Sequence, residues 1–156
     1  VYLVYLVIIL ILFLLDLFNN FNSIKSRGPD RSKIIYNNDY FIGFHRLAIH
    51  GLNFNSDQPF IYQENNEVFI ILINGEIYNY KYLIDLYDLN VDNNSDCAII
   101  YPLFKKINYN FKLLNNILNG EYSLAIIHLN NDSLMNIYLS CDPLCVRPLF
   151  YYYDND

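Results

Sequence analysis

Residues 67–80 read EVFIILINGEIYNY, and the reading of this stretch decides the fold. Glu67 to Ile73 is a continuous apolar run rich in isoleucine, closed by Asn74-Gly75. So short a run with a turn dipeptide behind it predicts a buried strand. From Glu76 to Leu89 the apolar residues Ile77, Tyr80, Leu83, Ile84 and Tyr87 recur at helical spacing, which predicts a helix on the far side of the turn. Asn74-Gly75-Glu76 then sits at a strand-to-helix junction. Two readings stand there: a plain capped turn, or backbone N–H groups turned outward to hold a developing oxyanion.

Working outward, Tyr40 to His50 predicts a strand, and Ser95 is a candidate cap for a helix over Asp96 to Ile107 that Pro102 kinks or shortens. Phe111 to Leu118 predicts a short helix ended by Asn119-Gly120. Tyr122 to Leu129 and Leu134 to Ser140 predict a hairpin around residues 130–132, with a last strand over Leu149 to Tyr153. Strands and helices come in blocks rather than in strict alternation, so the fold class is α+β.

The first stretch, Val1 to Leu15, is unbroken apolar sequence. A membrane span needs about 20 such residues, and a secretory signal needs a basic start and a small-residue cleavage site. The preferred reading is a buried strand, Val1 to Leu10, running into a helix. That helix lays Ile11, Leu14, Leu15, Phe18 and Phe21 on one face and turns Asp16, Asn19, Asn20 and Ser23 outward. A membrane anchor is the alternative.

Composition bounds the rest. The 156 residues carry a net charge of −6 and only 17% charged side chains, enough apolar matter for one packed domain and too little charge for a disordered chain. The acidic balance argues against a nucleic-acid partner. Cys97, Cys141 and Cys145 make no even disulfide framework, which points to a reducing compartment. The C-x3-C pair of Cys141 and Cys145 has no second Cys/His pair beside it, so no metal site is expected.

The polar signals are few. Arg46 lies within an apolar strand, either on its solvent face or as a fork for an anionic ligand. Asp96 is an acid at a helix start, where the dipole favours negative charge. In order along the chain stand RGPD (27–30), GFHRLAI (43–49), QPF (58–60), NGEIYNY (74–80), SDC (95–97), LNGEYSLAI (118–126) and CDPLCVRPLFYY (141–152). Together they resemble the class II (type 2) glutamine amidotransferase domain of asparagine synthetases, from about Asp16 to the C-terminus. RGPD is the discriminating motif.

The resemblance implies an N-terminal-nucleophile hydrolase-like sandwich, two antiparallel sheets with outer helices, built from residues 1–156 as one amidotransferase domain. It implies that Arg46 grips the α-carboxylate of L-glutamine and that Glu76 and Asp96 hold its α-ammonium. Asn74 and the Gly75 N–H would form the oxyanion hole. In the family an N-terminal cysteine attacks the glutamine amide, whereas position 1 here is Val, so the chain as it stands is expected to be inactive and cut short at its N-terminus. Cys141 stands where the family has Arg and Cys145 where it has Gly; Cys97 is expected to pack as a small apolar side chain. No Gly-rich phosphate loop occurs, so ATP and Mg belong only to a synthetase half, in cis or in trans.

Three readings follow: the cytoplasmic glutaminase part of a glutamine-hydrolysing asparagine synthase, a degenerate non-catalytic module, and a membrane-anchored amidotransferase-like domain. A second copy of the chain is an admissible partner.

Overall fold

In the computed structural model the described residues are 14–37, 40–48, 54–91, 95–131 and 133–152. The readings of Val1 to Leu10 as strand or anchor fall on residues outside this set. Helix α1 (Leu14–Ser23) leads to strands β1 (Arg31–Tyr36) and β2 (Phe41–Arg46), then β3 (Phe60–Glu64) and β4 (Glu67–Ile77). Helices α2 (Tyr80–Tyr87), α3 (Ile100–Lys106) and α4 (Phe111–Ile117) follow, and β5 (Gly120–Asn130) and β6 (Ser133–Cys141) close the order. Among the described residues β1 and β2 make one antiparallel pair, and β3-β4-β5-β6 make an antiparallel sheet of four.

Strand periodicity explains how these layers stack. On β4, Ile70 and Leu72 join Ala125, Ile127 and Leu129 of β5 in a cluster with Ile42 and Phe44 of β2, which is where the two sheets face each other. The alternate residues Phe69, Ile71 and Ile73, with Tyr122, Leu124 and Ile126, pack on Leu83, Ile100, Leu103, Phe104 and Leu114 of the helices. On the outer side of β2, Leu17 and Phe21 of α1 cover Phe41, with Phe18 and Ile34 packed alongside. The result is helix, sheet, sheet, helices: the α+β sandwich of two antiparallel sheets with outer helices. Each fully buried Ile, Leu or Phe contributes about 1.5–3 kcal/mol, so the two faces of β4 and β5 dominate the stability.

Several local readings need correction. Asn74-Gly75-Glu76 is not a junction: β4 runs through to Ile77, and α2 begins only at Tyr80. The strand expected over 40–50 is limited to Phe41–Arg46 among the described residues. The helix expected from Asp96 opens as a 3₁₀ turn, Asp96–Ile99, before α3; Ser95 makes no side-chain cap bond there. Asn110 does cap α4, its side chain accepting from the Leu113 N–H at 3.0 Å. Residues 149–152 form no strand, and Phe150, Tyr151 and Tyr152 are exposed. On α1, Asp16, Asn19, Asn20 and Ser23 do face outward, while Leu17 joins Phe21 in the buried face. Strands β1 and β3 had no sequence signal: β1 is polar at Arg31, Ser32 and Lys33, and β3 follows a proline.

Candidate functional site

The site begins at the β2 end, where the RGPD turn locks onto the strand. Pro29 bridges Arg46, and the Asp30 N–H donates to the Arg46 carbonyl at 3.1 Å. The Asp30 carboxylate accepts from the Ala48 N–H at 2.7 Å. A Cβ on Gly28 would stand 2.4 Å from the backbone of His45, so only glycine lets the turn close this tightly. His45 stacks on Phe21 with ring centroids 3.7 Å apart, and its ring nitrogens meet the Phe21 carbonyl and the Ser32 hydroxyl.

Arg46 is not on a solvent face; it is 7% exposed. A buried guanidinium needs a counter-charge, and Asp57 supplies it, ion-paired to Arg46 and also to Arg31 at 3.0 Å. Arg31 in turn lies over the Phe54 ring, 3.9 Å from its centroid. Asp57 was missed by the sequence reading. The only available signal was its place directly before the QPF motif.

The next residue carries the connection across to the large sheet. Gln58 donates through Nε2 to the Ile73 carbonyl at 2.8 Å and accepts from the Ile73 N–H at 2.7 Å. Ile73 precedes Asn74, which is 5% exposed and pairs with Ser123 of β5. Asp57-Gln58 is therefore a two-residue strap from Arg46 to the strand that carries Asn74, Gly75 and Glu76.

Gly75 has φ +150°, and a Cβ there would fall 1.9 Å from the Glu121 carbonyl oxygen. Backbones approach this closely because β4 and β5 meet through two copies of Asn-Gly-Glu, at 74–76 and 119–121. Their register sets Glu76 opposite Glu121 and Gly75 opposite Tyr122. Facing acids repel. Arg147 answers Glu121 with an ion pair, whereas the Glu76 carboxylate has no partner among the described residues.

Asp96 arrives from the other side. It is buried at the opening of its 3₁₀ turn, and its Oδ2 accepts from the Ile77 N–H at 2.7 Å, one residue beyond Glu76. Cys97 beside it points its thiol at the Gly75 carbonyl at 3.5 Å. Burial, then the neighbouring Asp96 carboxylate, push that thiol well above its ordinary range, so Cys97 is a packing residue rather than a nucleophile.

Asn74, Gly75, Glu76 and Asp96 are thus drawn together at one end of β4, and Arg46 is tied to that end through Asp57 and Gln58. A cavity of about 380 Å³ is lined by Asp57 together with Lys33, Phe60 and Ala98; none of the five sequence-predicted residues lines it. Among the described residues no group of three or more His, Cys, Asp or Glu side chains is arranged to hold a metal ion.

The loop after β6 supports the same strands from below. Asp142, 3% exposed, accepts from the backbone N–H groups of Leu144, Tyr122, Val146 and Arg147 at 3.0–3.5 Å. Burial raises its pKa, and those four donors more than offset that, so the carboxyl lies below the ordinary aspartate range. Cys141 and Cys145, which carried no disulfide in the sequence reading, are paired across this loop. Cys145 has φ +49°, the left-handed conformation that explains a glycine at that place in the resemblance.

Comparison with known proteins supplies the context for this arrangement. Residues 15–156 match a family described as "Glutamine amidotransferase domain". A "Probable asparagine synthetase [glutamine-hydrolyzing]" of Acanthamoeba polyphaga mimivirus is 36% identical over 135 residues, covering 84% of this chain and 23% of that protein. "Asparagine synthetase [glutamine-hydrolyzing] 2" of Bacillus subtilis (strain 168) is 32% identical over 130 residues, 83% of this chain and 16% of the relative. The corresponding protein of Asparagus officinalis is 30% identical over 128 residues, 81% of this chain and 20% of its own length. The chain thus spans a quarter or less of these relatives. Among the described residues no helix is long and apolar enough to cross a membrane.

Proposed function

The chain belongs to the glutamine amidotransferase domain family found in asparagine synthetases, and on that premise we propose that it is the glutamine-handling part of an asparagine synthetase-like protein. Arg46 holds the α-carboxylate of L-glutamine. A guanidinium has five N–H donors, so the substrate carboxylate joins Asp57 on Arg46 rather than displacing it. Arg31 and Arg46 together bring two positive charges to the single carboxylate of Asp57.

The ammonium end goes to Glu76 and Asp96. Because Arg147 already neutralises Glu121, the charge of Glu76 remains for a cation. Asn74 and the Gly75 N–H face the side-chain amide and stabilise the oxyanion that forms on attack. The attacking group is the sulfur of an N-terminal cysteine, with its α-amino group as base. Its bond to the amide carbon releases ammonia and leaves a γ-glutamyl thioester, which water converts to glutamate. The ammonia is consumed in amidating aspartate by an ATP- and Mg-using synthetase part, in the same chain or a partner, in the cytoplasm.

The observation that carries this reading is the Asp57-Gln58 strap, which ties the buried arginine to the strand bearing Asn74, Gly75 and Glu76. Calorimetric titration with L-glutamine tests it. Arg46→Ala is expected to abolish binding and Glu76→Gln to weaken it by about tenfold, the scale of one charge-assisted hydrogen bond. Unchanged affinity in both overturns the assignment. Joining Met-Cys-Gly-Ile ahead of Val1, with removal of the Met, is expected to give ammonia from glutamine, while the 156-residue chain gives none. A joined protein that binds glutamine and releases no ammonia refutes the catalytic half alone.

A further inference from the structure

The loop between Cys141 and Cys145 takes no part in the glutamine chemistry, yet it is built into the strands beneath it. The two Cα atoms are 5.6 Å apart, within the ordinary span of a disulfide. Cys145 is exposed and Cys141 half-buried, whereas Cys97 is sealed in the core and cannot exchange with either. On the cytoplasmic reading proposed above, such a disulfide is characteristically transient and redox-sensing. This one brackets the most heavily bonded carboxylate among the described residues, Asp142.

We propose that Cys141 and Cys145 form a reversible thiol–disulfide modification site, and that its oxidation state sets the order of the Asp142 loop and of the strand segment at Tyr122. The coupling is short. Asp142 and Tyr122 exchange two bonds, the Asp142 N–H to the Tyr122 carbonyl at 2.9 Å and the Tyr122 N–H to the Asp142 carboxylate at 3.1 Å. Tyr122 stands opposite Gly75. Beyond Cys145 the amides of Val146 and Arg147 complete the ring of donors around Asp142, and the Arg147 side chain continues to Glu121. Cys145 sits at φ +49°, which a residue with a Cβ disfavours. The cross-link holds it there together with the Cys145 N–H bond to the Asp142 carbonyl at 2.9 Å. Without the cross-link, relaxation of Cys145 withdraws the Val146 and Arg147 amides from the carboxylate.

The oxidant is a small-molecule disulfide such as glutathione disulfide. The exposed Cys145 thiolate attacks one of its sulfurs, forming a mixed disulfide and expelling one glutathione thiolate. The Cys141 thiolate then attacks the Cys145 sulfur and expels the second. The protein loses two electrons and two protons, and two glutathione thiols carry them away. Dithiol reductants reverse both steps.

The test uses the 156-residue chain equilibrated with excess glutathione disulfide or with dithiothreitol. Thiols are counted by alkylation in denaturant, and amide hydrogen exchange is followed by mass spectrometry. The oxidised protein is expected to show one alkylatable thiol, Cys97, and the reduced protein three. Exchange at Tyr122, Leu144, Val146 and Arg147 is expected to quicken by about tenfold on reduction, while β3 stays unchanged. A Cys141→Ser, Cys145→Gly variant is expected to exchange identically in both buffers. Three free thiols in excess glutathione disulfide, exchange that ignores the redox state, or a redox response that persists in the variant would each overturn the proposal. None of these readouts involves glutamine, so failure here leaves the glutamine assignment standing.

Discussion

Replacing Gly75 with alanine places a methyl group where the backbone of β5 already stands. The added Cβ would lie 1.9 Å from the Glu121 carbonyl oxygen, 2.6 Å from Tyr122 Cα and 2.8 Å from the Glu121 carbonyl carbon. All three are backbone atoms, so no rotamer change relieves the overlap. Real Cβ contacts begin near 3.0 Å, so going from 1.9 to 3.0 Å moves β5 back by about 1.1 Å. A ladder hydrogen bond of about 2.9 Å does not survive that displacement. Losing the two flanking bonds costs about 2 kcal/mol at about 1 kcal/mol each, and alanine at φ +150° adds about 1–3 kcal/mol of backbone strain. The total, about 3–5 kcal/mol, is a large part of the 5–15 kcal/mol that is typical for a domain. Urea unfolding followed by circular dichroism and tyrosine fluorescence measures it, the chain having 16 tyrosines and no tryptophan. In a thermal melt the midpoint temperature should fall by about 6–20 °C on the scale for this chain length. Gly43→Ala is the comparison, because the three atoms nearest its added Cβ, the closest at 2.5 Å, belong to the Phe21 ring rather than to backbone. A loss below about 1 kcal/mol in Gly75→Ala, or an equal loss in the two variants, would refute the reasoning.

Two further outcomes follow from the same contacts. Asp57→Asn leaves Arg46 buried without its counter-charge and should lower stability by about 2–3 kcal/mol, less than for a fully sealed pair because Asp57 is 19% exposed. Equilibrium urea unfolding reads it, and no loss would show that the strap is held by Gln58 alone. For Asp142 the folded-state pKa is depressed, so its contribution is fully present above the ordinary aspartate value of about 3.9 and disappears as pH falls through the folded value. The urea midpoint measured between pH 6 and pH 2 should therefore drop on the acid side in the native chain and drop less in Asp142→Asn.

Much of the architecture is legible in the residues taken in order. The apolar alternation of β4 and β5 determines that both faces of the large sheet are covered, because a two-residue period that is apolar on both phases can satisfy neither with water. The outward-facing Asp16, Asn19, Asn20 and Ser23 of α1 are equally local, since helix spacing needs no distant partner. The motif series from RGPD to CDPLCVRPLFYY likewise determined the family before any contact was known.

What the tertiary structure alone decided is which residues answer one another across the chain. Asn74-Gly75 has turn chemistry by local preference, yet it lies within β4 because Ser123 and Tyr122 of β5 stand opposite it and supply the ladder partners. Leu149 to Tyr153 has strand composition, yet residues 149–152 are not strand, because a strand exists only when a neighbour offers its N–H and C=O groups. Arg46 reads alike as a surface cation or a ligand fork until Asp57 is placed against it, and Cys141 and Cys145 read as free thiols until the Asp142 loop turns them together. Periodicity is a property of neighbouring residues and is written in their order. Counter-charge, close backbone approach and cross-linking depend on distances between residues far apart in sequence, and those distances are fixed only when the sheets close on each other.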